Sequence, residues 1–343
     1  MDLDNKNKEE GKEKSTEENE LLSFQAANIM PWKLFQDMDL MRSICFDKIV
    51  LPRHLQIAPT SACNLNCPFC SCKYRAKTVL PLSDLKAIVD MSVYLKVAGF
   101  TVTGDGEPLL HPKINEFLLY AIVHGIKIGL VTNGTKLRNL SAAVAPLLTW
   151  IRISFSDFRE FDSAFTDQLQ YLYEVGKSVD MAFSYVVSPQ YCLEKIAQVV
   201  SYANSHNFTH VRLVADLYQT EKVNMNRVRT ELNNLGIDVS RCIFQDRAEW
   251  TTGAKKCWIS LLKPTIASDG YLYPCCGVQY ALADGDKQRM FPPEMRMGRY
   301  TELPSIIQKQ KHFDGSVCVK CYYDNYNSVL SNLLVTYHHR EFV

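Results

Sequence analysis

From Arg53 to about Tyr218, short apolar runs rich in β-branched residues alternate six times with longer stretches of helical periodicity. The runs predict strands at His54–Ala58, Gly99–Val102, Lys127–Val131, Trp150–Phe155, Met181–Val187 and His210–Val214. Helices are expected over Leu82–Lys96, Pro112–His124, Lys136–Leu148, Phe161–Val179 and Leu193–Ser205. Strand and helix repeating every ~30 residues call for an α/β fold with a parallel sheet and helices packed outside it. Such sheets bind ligands at the carboxyl ends of their strands, and the unusual residues of this chain fall there.

The rest of the chain has a different texture. Residues 1–20 are almost all charged or polar, with Met1 and Leu3 as the apolar exceptions, and are expected to be a disordered tail. Residues 21–52 form an N-terminal helical extension, with Trp32, Leu34, Phe35, Met38, Leu40 and Met41 at roughly helical spacing between Pro31 and Cys45. After the β/α region, assigned to 53–240, Gly, Pro and paired cysteines take over, so residues 241–343 are expected to be a second, smaller domain. A hairpin is expected at Thr265–Tyr273 around the favoured turn pair Asp269-Gly270, and a closing helix at Tyr322–Tyr337.

The chain has 343 residues, of which 47 % are hydrophobic and 22 % charged, enough apolar material for a sizeable core. Its net charge of +1 provides no overall electrostatic footprint for nucleic acid or an anionic membrane, and neither is expected as a partner. No run of 18 or more apolar residues predicts a membrane span. Twelve cysteines are out of line with this ordinary composition. A disulfide framework suits short secreted domains, whereas this chain can bury its own core and its first twenty residues hold no apolar export segment. A cytoplasmic location is expected, where clustered thiols are metal or cofactor ligands more often than bridges.

The cysteines fall into two sets. Just past the first strand, Cys63-Asn-Leu-Asn-Cys67-Pro-Phe-Cys70 is a C-x3-C-x2-C triplet, followed by Cys72. Soft thiolates select zinc or iron–sulfur clusters. Cys72 as a fourth zinc ligand would need a cramped turn, and structural zinc sites usually pair C-x2-C units far apart in sequence. Three thiolates on a four-iron cluster would instead leave one iron open. The second set is Cys257, Cys275 and the pair Cys318-Val-Lys-Cys321, separated half-sites compatible with a four-cysteine zinc site or another iron–sulfur cluster. A non-catalytic zinc protein is thus the competing reading.

The triplet, with an aromatic residue before its last cysteine at the first strand of a β/α series, resembles the radical S-adenosylmethionine (radical SAM) superfamily. Thr103-Gly104-Asp105-Gly106-Glu107-Pro108 after the second strand resembles the family's glycine-rich GGEP motif. Thr132-Asn133-Gly134-Thr135 after the third resembles its TNG segment, and Ser154-Phe-Ser-Asp157 ending the fourth resembles its ribose or carboxylate segment. Asp105 departs from the pattern, standing where many members have glycine. The resemblance implies a partial (β/α)6 TIM-like barrel in which Cys63, Cys67 and Cys70 bind three irons of a [4Fe-4S] cluster and the fourth iron chelates S-adenosylmethionine. Phe69 would offer backbone contact to adenine, and Gly104 and Gly106 would permit close backbone approach. Glu107 would hold the amino group, with Thr132, Asn133 and Ser154 as carboxylate and ribose contacts.

The C-terminal set is similar to the family's "twitch" extension, a half-sized SPASM domain of α+β character. It implies one auxiliary [4Fe-4S] cluster fully ligated by Cys257, Cys275, Cys318 and Cys321, hence two clusters per chain. Full ligation suits electron transfer better than substrate binding. Cys276 beside it is the candidate hydrogen donor, while Cys45, Cys72, Cys192 and Cys242 are expected as small buried hydrophobes. The implied activity is reductive cleavage of S-adenosylmethionine to a 5′-deoxyadenosyl radical, which abstracts hydrogen from a C–H bond of a peptide or small natural product. Dehydrogenation, epimerisation and cross-linking are the implied outcomes. Flavodoxin or ferredoxin would supply the electron, and a separate protein could provide leader-peptide binding.

Overall fold

The computed structural model describes residues 30–246, 250–282 and 290–339. The expected tail at 1–20 lies outside these, as does the first part of the 21–52 extension. Seven strands form a parallel sheet in chain order: β1 His54–Ile57, β2 Gly99–Val102, β3 Lys127–Thr132, β4 Trp150–Ser156, β5 Asp180–Val187, β6 His210–Ala215 and β7 Cys242–Gln245. The sheet is not closed, since β7 is one edge and β1 continues on its other side to β8 (Thr265–Ile266), β9 (Tyr271–Tyr273) and β10 (Gly298–Arg299). β8 runs parallel to β1, and the pairs β8/β9 and β9/β10 are antiparallel, which places the expected hairpin around Asp269-Gly270. Among the described residues no helix is long and apolar enough to cross a membrane.

Each of the six expected strands forms within a residue or so of its expected bounds, and the helix Leu193–Ser205 matches at both ends. Others are shorter: Leu82–Tyr94, Ile114–Val123 and Ser163–Val175, the last started by Asp162, whose side chain accepts from Phe165 N at 2.9 Å. Leu85, Ile88 and Val89, and likewise Phe117, Leu118 and Ala121, are fully buried, so the inward stripe of each outer helix packs on the sheet.

Three expectations are corrected. Lys136–Leu148 is not an α-helix but two 3-10 turns, Leu137–Asn139 and Ala145–Leu147. Pro146 removes a backbone donor near the end of the stretch, and Asn115 pins its middle by donating to Asn139 O at 2.8 Å and accepting from Ser141 N at 2.8 Å. The parallel sheet also runs past residue 240, because β7 pairs with β6 after an unanticipated helix, Met225–Asn234. Finally, the helical pattern from Pro31 to Cys45 is divided into Met30–Phe35, Met38–Arg42 and a π turn at Ser43–Asp47. The break occurs at Asp37, whose carboxylate caps the second helix by accepting from Leu40 N at 3.2 Å.

Candidate cofactor site

The loop from Pro59 to Leu80, between β1 and the first outer helix, carries the cysteine triplet. Its base is pinned where Ser61 N donates to Thr78 O at 2.9 Å, Thr78 N to Ser61 Oγ at 2.6 Å, and Leu80 N to Pro59 O at 2.9 Å. Inside that clamp, Cys70 N donates to Cys67 O at 3.1 Å in a tight turn. Cys63, Cys67 and Cys70 are all half-buried. Burial, reinforced by neighbouring thiolates, pushes Cys67 up, and burial raises Cys63 likewise.

Two glycines bring the turn after β2 against this loop. Gly104 has φ +117°, and a Cβ on it would lie 2.4 Å from Ala58 Cβ; a Cβ on Gly106 would lie 2.2 Å from Ala62 O. Glu107 N completes the seam by donating to Ala62 O at 2.8 Å, one residue before Cys63.

The side chain of Glu107 is buried. Only 2 % exposed, its carboxylate is turned inward and accepts from Leu109 N at 3.0 Å, Thr132 Oγ1 at 2.7 Å and Asn133 N at 2.6 Å. Burial raises its pKa despite these bonds. It braces the ends of β2 and β3, with Oε1 taking two of these bonds and Oε2 one. Thr132 is equally occupied, donating to Glu107 and accepting from Gly134 N at 3.1 Å. Asn133 reaches the cysteine loop instead, with its Nδ2 donating to Asn64 Oδ1 at 3.0 Å, while Asn64 Nδ2 donates to Thr135 Oγ1 at 2.8 Å. Three strand ends thereby converge on the loop, as the sheet topology requires.

Arg159, which the motifs did not single out, joins the site. Arg159 Nη1 donates to Asn133 O at 2.6 Å and Ser154 O at 2.9 Å, tying the ends of β3 and β4, and its guanidinium lies over the rings of Phe155 and Phe165. Burial lowers its pKa, and the charges of Cys67 and Glu107 oppose that shift. Asp157 gathers the next loop, accepting from Tyr185 Oη at 2.6 Å, Ser188 Oγ at 2.9 Å and Cys192 N at 3.0 Å. Phe69 is half-buried with its ring centroid 6.1 Å from that of Phe158. The one signal in the sequence for Asn64 and Arg159 is position, one inside the triplet and one just past a strand end.

Cys257, Cys275, Cys318 and Cys321, spread over 65 positions, line one small cavity. Isolated bridges Thr251–Cys321 and Cys257–Phe313 hold it together. Burial, then the charges of Cys321 and Cys318, pushes Cys257 up to about 12, and burial sends Cys275 well above the usual thiol range. Gly277 N donates to Cys275 Sγ at 3.3 Å and Tyr323 N to Cys321 Sγ at 3.4 Å. Cys276 Sγ lies 3.3 Å from the hydroxyl of buried Tyr323. Of the remaining cysteines, Cys72 and Cys242 are buried as expected for small hydrophobes, whereas Cys45 and Cys192 are partly exposed. Cys192 sits at a helix start, with its thiol 3.3 Å from Glu194 Oε2. Among the described residues no three His, Cys, Asp or Glu side chains converge closely enough to hold a single metal ion.

The two cysteine regions are joined. Ser71 Oγ donates to Gln279 Oε1 at 2.6 Å, and Cys72 packs into a small core with Ala267, Tyr273, Val278 and Phe291.

Comparison with known proteins bears on this arrangement. Residues 57–218 match the profile of the Radical SAM superfamily. No curated protein matches the chain. Among solved structures, Streptococcus suis SuiB bound to its precursor peptide SuiA is similar with a TM-score of 0.54 at 15 % identity, over 87 % of this chain and 78 % of that one. SuiB bound to S-adenosylmethionine gives 0.54 at 16 %, over 87 % and 80 %. The anSMEcpe structure with bound AdoMet and the Cp18Cys peptide gives 0.50 at 15 %, over 82 % and 96 %. At such identities the likeness is one of fold.

Proposed function

We propose, because residues 57–218 match the Radical SAM superfamily profile, that this chain is an enzyme that abstracts hydrogen from a C–H bond of a peptide or small natural product. The family implies a [4Fe-4S] cluster and S-adenosylmethionine, which when bound supply the hydrogen-abstracting radical. The observation that carries the reading is the seam of Gly104, Gly106 and Glu107 against Ala62, which delivers the Cys63–Cys70 loop to the strand-end mouth beside Asn133. The donor set fits: three half-buried thiols on one clamped loop, with backbone close enough for a ligand only where glycine stands. Each sulfur of a four-iron cluster takes a different iron, so the three need not converge on one ion.

In this reading Cys63, Cys67 and Cys70 hold the cluster. Backbone at Gly104–Gly106 and Phe69 contacts S-adenosylmethionine, with Asn133 and Ser154 beside it. Glu107 and Thr132 keep the turn in shape rather than touch the cofactor. Cys257, Cys275, Cys318 and Cys321 hold a second [4Fe-4S] cluster in a twitch-like extension. Full ligation by four thiolates suits electron transfer, and Cys276 beside Tyr323 is the hydrogen donor. The substrate class favoured is a peptide, since SuiB and anSMEcpe are seen with peptides bound. Flavodoxin or ferredoxin serves as reductant, and a separate leader-peptide-binding protein as a possible partner.

Anaerobic reconstitution tests the proposal. About eight irons and eight sulfides per chain are expected, with 5′-deoxyadenosine formed from S-adenosylmethionine under dithionite. Two tightly bound zinc ions and no cleavage would sink it in favour of a non-catalytic zinc protein.

A further inference from the structure

Arg75 lies at the far end of the cysteine loop, five residues after Cys70, and is fixed at two points. Its Nη2 donates to Cys70 Sγ at 3.1 Å, and its Nε donates to the backbone carbonyl of Asp105 at 3.0 Å. Cys70 Sγ also accepts from Cys72 N at 3.3 Å. Asp105 is anchored in its turn, its Oδ2 accepting from Ser268 N at 3.1 Å and from the Ser268 hydroxyl, which pairs with Thr78 Oγ1 at 2.6 Å. The guanidinium is thus held against one sulfur by a chain of contacts running from the β2 turn to the β8/β9 hairpin.

Resting on the reading of Cys63, Cys67 and Cys70 as cluster ligands, we propose that Arg75 is a positioning residue that raises the reduction potential of that cluster through Cys70. One-electron reduction by an external low-potential donor adds one negative charge to the cluster and its thiolates, and no bond breaks in that step. A cationic N–H donor on a thiolate stabilises the more negative form more strongly, most of all where burial lowers the effective dielectric. Hydrogen bonds to cluster sulfurs are among the groups that set such potentials. The second bond, to Asp105 O, keeps the donor in place; the rigid planar guanidinium serves the two acceptors from separate nitrogens, whereas a flexible lysine ammonium would have to serve both from one.

The test is a redox titration of the reconstituted full-length chain, followed by electron paramagnetic resonance of the signal that changes when S-adenosylmethionine is added. Arg75→Gln is expected to keep the iron content and shift that midpoint to more negative potential, with Arg75→Lys between it and the parent. An unchanged midpoint in Arg75→Gln overturns the inference. Should Arg75→Gln fail to load iron, an unchanged midpoint in Arg75→Lys overturns it equally. A parent chain with no signal responsive to S-adenosylmethionine contradicts the proposed function instead, so the two failures are distinguishable.

Discussion

Thr132 Oγ1 donates to Glu107 Oε1 at 2.7 Å across two neighbouring strand ends, and both residues are almost wholly buried. Each oxygen of the carboxylate is already taken by the protein. Glu107→Gln turns an amide NH2 towards donors, and should cost about 1–3 kcal/mol. Thr132→Ala removes one donor and should cost about 1 kcal/mol, measured in both cases by urea midpoints. A loss of S-adenosylmethionine binding in Glu107→Gln without any loss of stability would assign the carboxylate to the cofactor.

Gly106→Ala should be among the most damaging single changes in the site. Its Cβ would sit 2.2 Å from Ala62 O and 2.6 Å from Ser61 C, both backbone atoms that cannot rotate away. The cysteine loop has to move, and a loss of roughly 2 kcal/mol or more is expected together with reduced iron loading at the triplet. Thermal unfolding and iron content are the measurements. A variant of parental stability and loading would contradict the seam.

Asp105 makes stability pH-dependent. Burial, only partly offset by its two bonds from Ser268, pushes its pKa up to about 6. A folded-state pKa raised above the unfolded value means that the folded chain binds the proton more tightly. The stabilisation is full below pH ~4 and is lost as pH rises through 6, by about 3 kcal/mol at most. Asp105→Asn should therefore gain stability relative to the parent between pH 4.5 and 7. Parallel stability profiles for the two chains would contradict the shift.

The two cysteine sets should be separable. Replacing Cys63, Cys67 and Cys70 by alanine is expected to abolish cleavage of S-adenosylmethionine while leaving about four irons per chain. Replacing Cys318 and Cys321 should lower iron content and leave the signal responsive to S-adenosylmethionine. Retained cleavage in the first variant would contradict the assignment.

Gln279→Ala leaves the Ser71 hydroxyl without its acceptor at 2.6 Å and should cost about 1 kcal/mol. Because this bond links the cysteine loop to the turn after Cys275, faster proteolysis of the loop is expected as well. Unchanged proteolysis would show that the packing of Cys72 and the Thr78–Ser268 hydrogen bond hold the two regions together without it.

Local pattern by itself determined six strands of the sheet, the hairpin turn at Asp269-Gly270 and the strand-end placement of Cys63, Gly104, Asn133 and Ser154, because periodicity and turn chemistry act over a few residues. It could not locate β7, four residues whose strand character comes from pairing with β6, nor see that Pro146 and the Asn115 bonds would break a helical pattern. Only the tertiary structure turned Glu107 inward, drew Asn64 to Asn133, brought four distant cysteines round one cavity and set Arg75 against Cys70. Apart from Arg75 and Cys70, which are five positions apart, those contacts join residues tens of positions apart, where what decides the outcome is whether a buried polar group finds its partner, and no spacing rule in the sequence carries that information.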